Sequence, residues 1–180
     1  MKNFLMLFIL TFAISCTKDD EGKSALYIGS YSLSCNGHSW NGNVINISLI
    51  DYPDTLRGIS LLRANPDNAS ISEALSFKNI ILKPGIYPID TMLYNSPDAK
   101  LRAFFSTTVD GDARGDYYWS PAQNSENYLV VESYDTTTRE LKASFQVFLV
   151  TDPSRTKFDP SLPDTLRFTE GKISVKLDQD

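Results

Sequence analysis

Three aspartates on one short glycine-bearing loop, within the stretch VDGDARGDYYW, are the residues of this chain whose type and spacing come nearest to metal chemistry. Asp110, Asp112 and Asp116 place hard oxygen donors close together, and calcium takes such donors. Calcium is therefore the one cofactor the sequence suggests. The loop departs from an EF-hand, with Arg114 where a third donor belongs and no Glu at the twelfth position, so an acidic surface turn is the competing reading. Behind it stand Tyr117, Tyr118 and Trp119. In a strand, alternate residues face opposite sides, so Tyr117 and Trp119 share a face and Tyr118 points away from it. An exposed aromatic face beside acidic acceptors suits a sugar ring, and core packing is the alternative for the same residues.

Cys35 and the single histidine, His38, flank Asn36-Gly37. Across a two-residue hairpin the flanking Cβ atoms lie roughly 5 Å apart, which lets a thiol and an imidazole touch. Nucleophilic catalysis also needs an orienting group, an oxyanion hole and a cleft. A hairpin tip supplies none of these, and we read His38 as a turn histidine beside a packed cysteine. The chain has no phosphate-binding glycine loop, no paired histidines, no nucleophile elbow and no cysteine pair for a metal. An enzyme working through two carboxylates stays open as a distant reading. With 22 acidic against 17 basic residues, a net charge of −5, and no Lys/Arg run, a nucleic-acid partner is disfavoured.

The other cysteine has a different context. Met1 and Lys2 precede an apolar run over residues 4–14, then Ser15 and Cys16, then the charged cluster Lys18, Asp19, Asp20 and Glu21. This is a signal-peptide layout, too short for a bilayer span of roughly 20 apolar residues. Ala13, Ile14, Ser15 and Cys16 resemble a bacterial lipobox, in which the thiol is alkylated by diacylglycerol, the chain is cut before it and the new amino terminus is acylated. The resemblance implies lipidation at Cys16 and anchoring in the outer membrane. The acidic cluster resembles the export signal of surface lipoproteins of the Bacteroidetes type, which implies display at the cell surface; an ordinary charged linker facing the periplasm is the alternative. The expected organisation is a signal peptide over residues 1–15, a lipidated tether over 16–25 and one domain over 26–180. With Cys16 lipidated, Cys35 has no disulfide partner.

The elements that must position these residues read as strands. Apolar residues alternate with polar ones from Leu26 onward, and turn residues punctuate them. Asn36-Gly37 predicts a tight hairpin. Asn41-Gly42 allows a bulge or a second turn, and Glu170-Gly171 reads as a turn between two short closing strands. Leu141, Ala143, Phe145, Val147 and Leu149 alternate along one strand face. In NPDNASISEAL, residues 65–75, we expect a short helical turn capped by Asn68 or Ser70. The fold class is all-β: a single antiparallel β-sandwich or flattened barrel.

The order of SCNGHSWNG, LSFKNIILKPGIYPID and YLVVESYDTTTRELKASFQVFLV, followed by LRFTEGKISVKL, resembles a family of small uncharacterised lipoproteins of the Bacteroidetes type. Ala143 stands where that family often has Gly before Phe145. The resemblance implies a β-sandwich and no assigned activity. The expected function is a lipid-anchored, non-enzymatic binding or structural module, with glycan as the candidate ligand at Tyr117 and Trp119. The alternative is an accessory envelope protein that binds another membrane or surface protein.

Overall fold

Asn36 and Gly37 both take positive φ, 49° and 85°, and turn the chain between β1 (Tyr27–Cys35) and β2 (His38–Asn46). Gly37 adopts this backbone without steric cost. The computed structural model describes residues 27–46, 55–64, 71–91, 100–110, 113–121 and 124–177. Cys16 and the tether, Asn68, Ser70 and Asp112 lie outside them. The remaining strands are β3 (Thr55–Ala64), β4 (Ile71–Ile81), β5 (Gly85–Pro88), β6 (Arg102–Val109), β7 (Ala113–Trp119), β8 (Tyr128–Tyr134), β9 (Glu140–Thr151) and β10 (Thr165–Lys176). No helix occurs among the described residues.

All ten described strands join one sheet with antiparallel neighbours in the order β10-β1-β2-β3-β4-β6-β7-β9-β8-β5, and a further β10–β9 pairing closes it. The closed ring has eight strands, with β8 and β5 as a flap on β9. The all-β expectation of a flattened barrel is met. Strand β9 is the junction, because β10 runs along one edge while its other edge is shared. There β8 pairs with residues 141–146 and β7 only with Val150 and Thr151.

Three local expectations are refined or corrected. Of the stretch expected to hold a short helical turn, residues 71–75 belong to β4, where Glu73, Leu75 and Phe77 keep a strict inward alternation that a helical turn would break, and residues 65–70 lie outside the described ones. Asn41 and Gly42 themselves sit in register opposite Ser32 and Tyr31, and the bulge of this pair comes just beyond them, between Tyr27 and Gly29 opposite Ile45 and Val44. Glu170, at φ 54°, and Gly171 form a bulge inside one long β10. That strand must pair with β1 and β9 together, and the bulge shifts both registers at the same place.

Inward side chains fill the ring. Trp40 contacts Tyr31, Phe105 and Phe168 with centroids 5.7 to 6.1 Å apart, and Phe77 meets Phe145 edge-on at 4.8 Å. Burying such rings is the main source of stability in a barrel without a disulfide. Arg63 and Glu73 approach to 3.7 Å within the same interior, and the Arg63 guanidinium lies 5.6 Å from the Trp40 ring.

Candidate functional site

Strand alternation dictates what the outer wall carries. Ile59 and Leu61 on β3, Leu75 and Phe77 on β4, and Ala103 and Phe105 on β6 face the core, so their neighbours face outward. Register then sets these neighbours in rows: Ser60, Ser76 and Phe104 in one, Leu62, Ala74 and Ser106 in the next. The central strand offers only Ser76 and Ala74 between the larger Leu62 and Phe104. The result is a trough of about 570 Å³ along the wall, with Lys78 and Asn79 at one end. On its floor the Ser60 and Ser76 hydroxyls share a 2.7 Å hydrogen bond. One of the two donates, which leaves the other's hydrogen to donate to a ligand.

Beside the trough, the strand order lays out a row of four groups. The Lys78 ammonium lies 5.2 Å from the Phe104 ring, Phe104 stacks on Tyr117 at 5.5 Å and 22°, and the Arg155 guanidinium sits 5.5 Å from Tyr117. Because β6 lies between β4 and β7, Phe104 is held from both sides. Tyr117 is likewise flanked by Phe104 and Arg155. Trp119 is opposite Phe104 in the β6–β7 register, half-buried, and has no ring or cation contact among the described residues. Of the two aromatics expected to hold a ligand, Tyr117 is therefore engaged within the wall, and Trp119 lies half-buried one strand beyond Phe104, which borders the trough. Tyr118 points the other way as expected: it is fully buried, and its hydroxyl donates to the Pro163 carbonyl at 2.8 Å.

The three aspartates do not act as one donor set among the described residues. Asp110 is exposed at the end of β6 with φ 51°, and Asp112 lies outside the description. Asp116 is buried and turned toward residues 152–164; its carboxylate accepts the Phe158 amide at 2.8 Å and the Asp159 amide at 3.0 Å. Its own amide donates to Thr107 Oγ1 at 2.6 Å. Asp116 thus binds a loop. No group of three His, Cys, Asp or Glu residues converges among the described residues.

Cys35 and His38 do face each other across the hairpin. Cys35 packs against the core, and burial, followed by the Glu73 carboxylate, pushes its thiol up to about 11, so it stays protonated at neutral pH. A protonated, half-buried thiol is a poor nucleophile. His38 is exposed.

Phe104, Ser60 and Ser76 were not singled out from sequence. Their signal was the alternation of RAFFSTTV and of the paired serine-bearing strands, which assigns faces but not which rows meet. No family model, curated protein or solved structure matches this chain.

Proposed function

We propose that the chain is a lipid-anchored, non-enzymatic binding module of the outer membrane, displayed at the cell surface, that holds a sugar unit against the barrel wall. The trough, with Trp119 one strand beyond its Phe104 wall, carries this reading. A sugar ring presents an apolar face and a rim of hydroxyls, which suits Phe104, Leu62 and a floor with a free hydroxyl proton, with Trp119 extending the aromatic side of the site. Lys78 and Asn79 provide further polar contacts at one end of the trough. The anchor is Cys16, and the acidic residues behind it carry the export signal.

A glycan screen on the full chain tests the ligand. Trp119→Ala and the trough-filling Ala74→Trp should each abolish retention on whichever glycan the parent binds, with circular dichroism showing the barrel intact. A parent that binds no glycan, or variants that bind as well as the parent, would refute the reading. The anchor is tested separately: Cys16→Ser should release the protein from membranes washed with carbonate, and replacing Asp19, Asp20 and Glu21 by Ala should remove protease accessibility on intact cells.

A further inference from the structure

Strand direction fixes which barrel end β1 enters. β1 begins, β4 stops and β6 starts at the same end of the ring, because neighbouring strands are antiparallel. There Ile81 and residues 87–90, with Lys100, Leu101, Asn124 and Ser125, border a second concavity of about 620 Å³. Ile81, Tyr87, Ile89 and Leu101 give it apolar walls, and the Asp90–Lys100 ion pair at 3.0 Å lies on its rim. The Tyr87 hydroxyl donates to the Lys83 carbonyl at 2.7 Å, which ties the turn to β5. On β5, Ile86 is 73% exposed; Phe158, at 57%, lies on the loop at the opposite end of the barrel.

An exposed isoleucine on an edge strand can mark a site for a partner strand, but this edge is poor in donors. The Ile89 amide donates toward β8, so by alternation Tyr87 and Gly85 also face β8, and Pro84, Ile86 and Pro88 face outward. Both prolines lack an N–H, leaving Ile86 the single donor on that side. What remains is an apolar tip beside an apolar pocket, with the exposed cations Lys83 and Lys100 nearby. Apolar insertion flanked by lysines is how proteins engage the boundary between headgroups and acyl chains. Eleven positions separate Cys16 from Tyr27. Even fully extended they reach at most about 40 Å.

We propose that this end of the barrel docks on the bilayer, with Ile86 and the adjoining pocket taking up lipid acyl chains while Lys83 and Lys100 meet anionic headgroups. This rests on the lipid anchor at Cys16. Docking turns the opposite end, with Phe158, away from the membrane and leaves the wall trough accessible from the side.

The lipidated chain, with Cys35→Ser to remove the internal thiol, is reconstituted in nanodiscs of phosphatidylethanolamine and phosphatidylglycerol. Single-cysteine variants Ile86→Cys and Phe158→Cys carry an environment-sensitive fluorophore. The probe at 86 should shift to the blue and lose most of its emission to a nitroxide-labelled lipid, while the probe at 158 stays in water. Ile86→Asp should leave the barrel folded and, in a chain probed instead at position 84 (Pro84→Cys), weaken the lipid quenching. Protein that stays on the nanodisc with a water-exposed probe at 86 overturns the docking and spares the anchor. A probe shielded from both water and lipid assigns the tip to a protein partner or a second copy and also overturns it. Protein that fails to stay on the nanodisc refutes the anchor itself.

Discussion

The side chain of Asn127 stands in for a missing strand at Phe148. Its Nδ2 donates to the Phe148 carbonyl at 2.9 Å and its Oδ1 accepts the Phe148 amide at 2.6 Å, where β7 has parted from β9 and β8 has not yet joined it. A further Nδ2 bond to Ser120 Oγ, at 2.7 Å, ties the end of β7 to the same carboxamide. Asn36 does related work at the hairpin tip, donating its amide to the Arg167 carbonyl and accepting the Arg167 amide on Oδ1, both at 2.8 Å.

Asn127→Ala leaves both backbone groups of Phe148 without their partner in a buried seam. At about 1 to 3 kcal/mol for each unsatisfied group, the loss should approach half the stability of a typical domain. Urea unfolding with an unchanged m-value checks this. Asn127→Asp keeps the acceptor but sets a buried carboxylate oxygen against the Phe148 carbonyl, and should cost at least as much as Ala.

Asp116→Ala should release residues 152–164 from the barrel. Two charge-assisted bonds are lost, each worth roughly 1.5 to 3 kcal/mol. The distinguishing readout is hydrogen exchange, with the Phe158 and Asp159 amides losing protection while β1 and β10 retain theirs. An equal loss of protection throughout would mean that the loop is integral to the barrel.

Cys35 gives the barrel a weakness in alkali. Its folded value lies above the unfolded value of about 8.5, so its contribution is full below that pH and is lost as pH climbs toward about 11. Tyr31 and Tyr118 are also pushed up, chiefly by burial, and add to the same limb. Cys35→Ala should therefore flatten only the lower part of the alkaline decline in melting temperature. In the parent, alkylation of the thiol by iodoacetamide should stay slow at neutral pH.

Gly171→Ala should be costly for want of room, since a Cβ there would collide with the Phe145 ring. Displacing Phe145 disturbs its contact with Phe77 and should cost about 1 to 3 kcal/mol of overpacking. Phe145→Leu in the same chain should recover part of the loss, which a purely local backbone effect at Gly171 would not allow.

The strands were legible wherever one face is buried along its length. In β9, Leu141 through Leu149 alternate without a break, and in β7 the split of Tyr118 from Tyr117 and Trp119 follows from the same period. Asn36-Gly37 was legible because the turn needs only those two residues. Glu170-Gly171 was not, since a hairpin turn and a bulge call on the same local residue types and the choice is made by β1 and β9 on either side. Asp116 was read from its neighbours in sequence, yet the amides it holds are 42 and 43 residues further on. Asn127 gave no local signal at all, its partner being 21 residues away. The trough depends on which rows of three strands come level, a property of register that no single segment encodes.

The closing strand is also the last of the described strands in chain order. β10 lies between β1 and β9, and the bond from Arg167 to Asn36 spans 131 positions of the chain. Until β10 arrives, β1 and β9 both present open edges and the ring cannot shut. A chain with contacts this distant folds slowly. Under the export route proposed above, with the chain crossing a membrane amino terminus first, this order would act as a timer: β10 emerges after the strands it must join, so the ring shuts only on the far side.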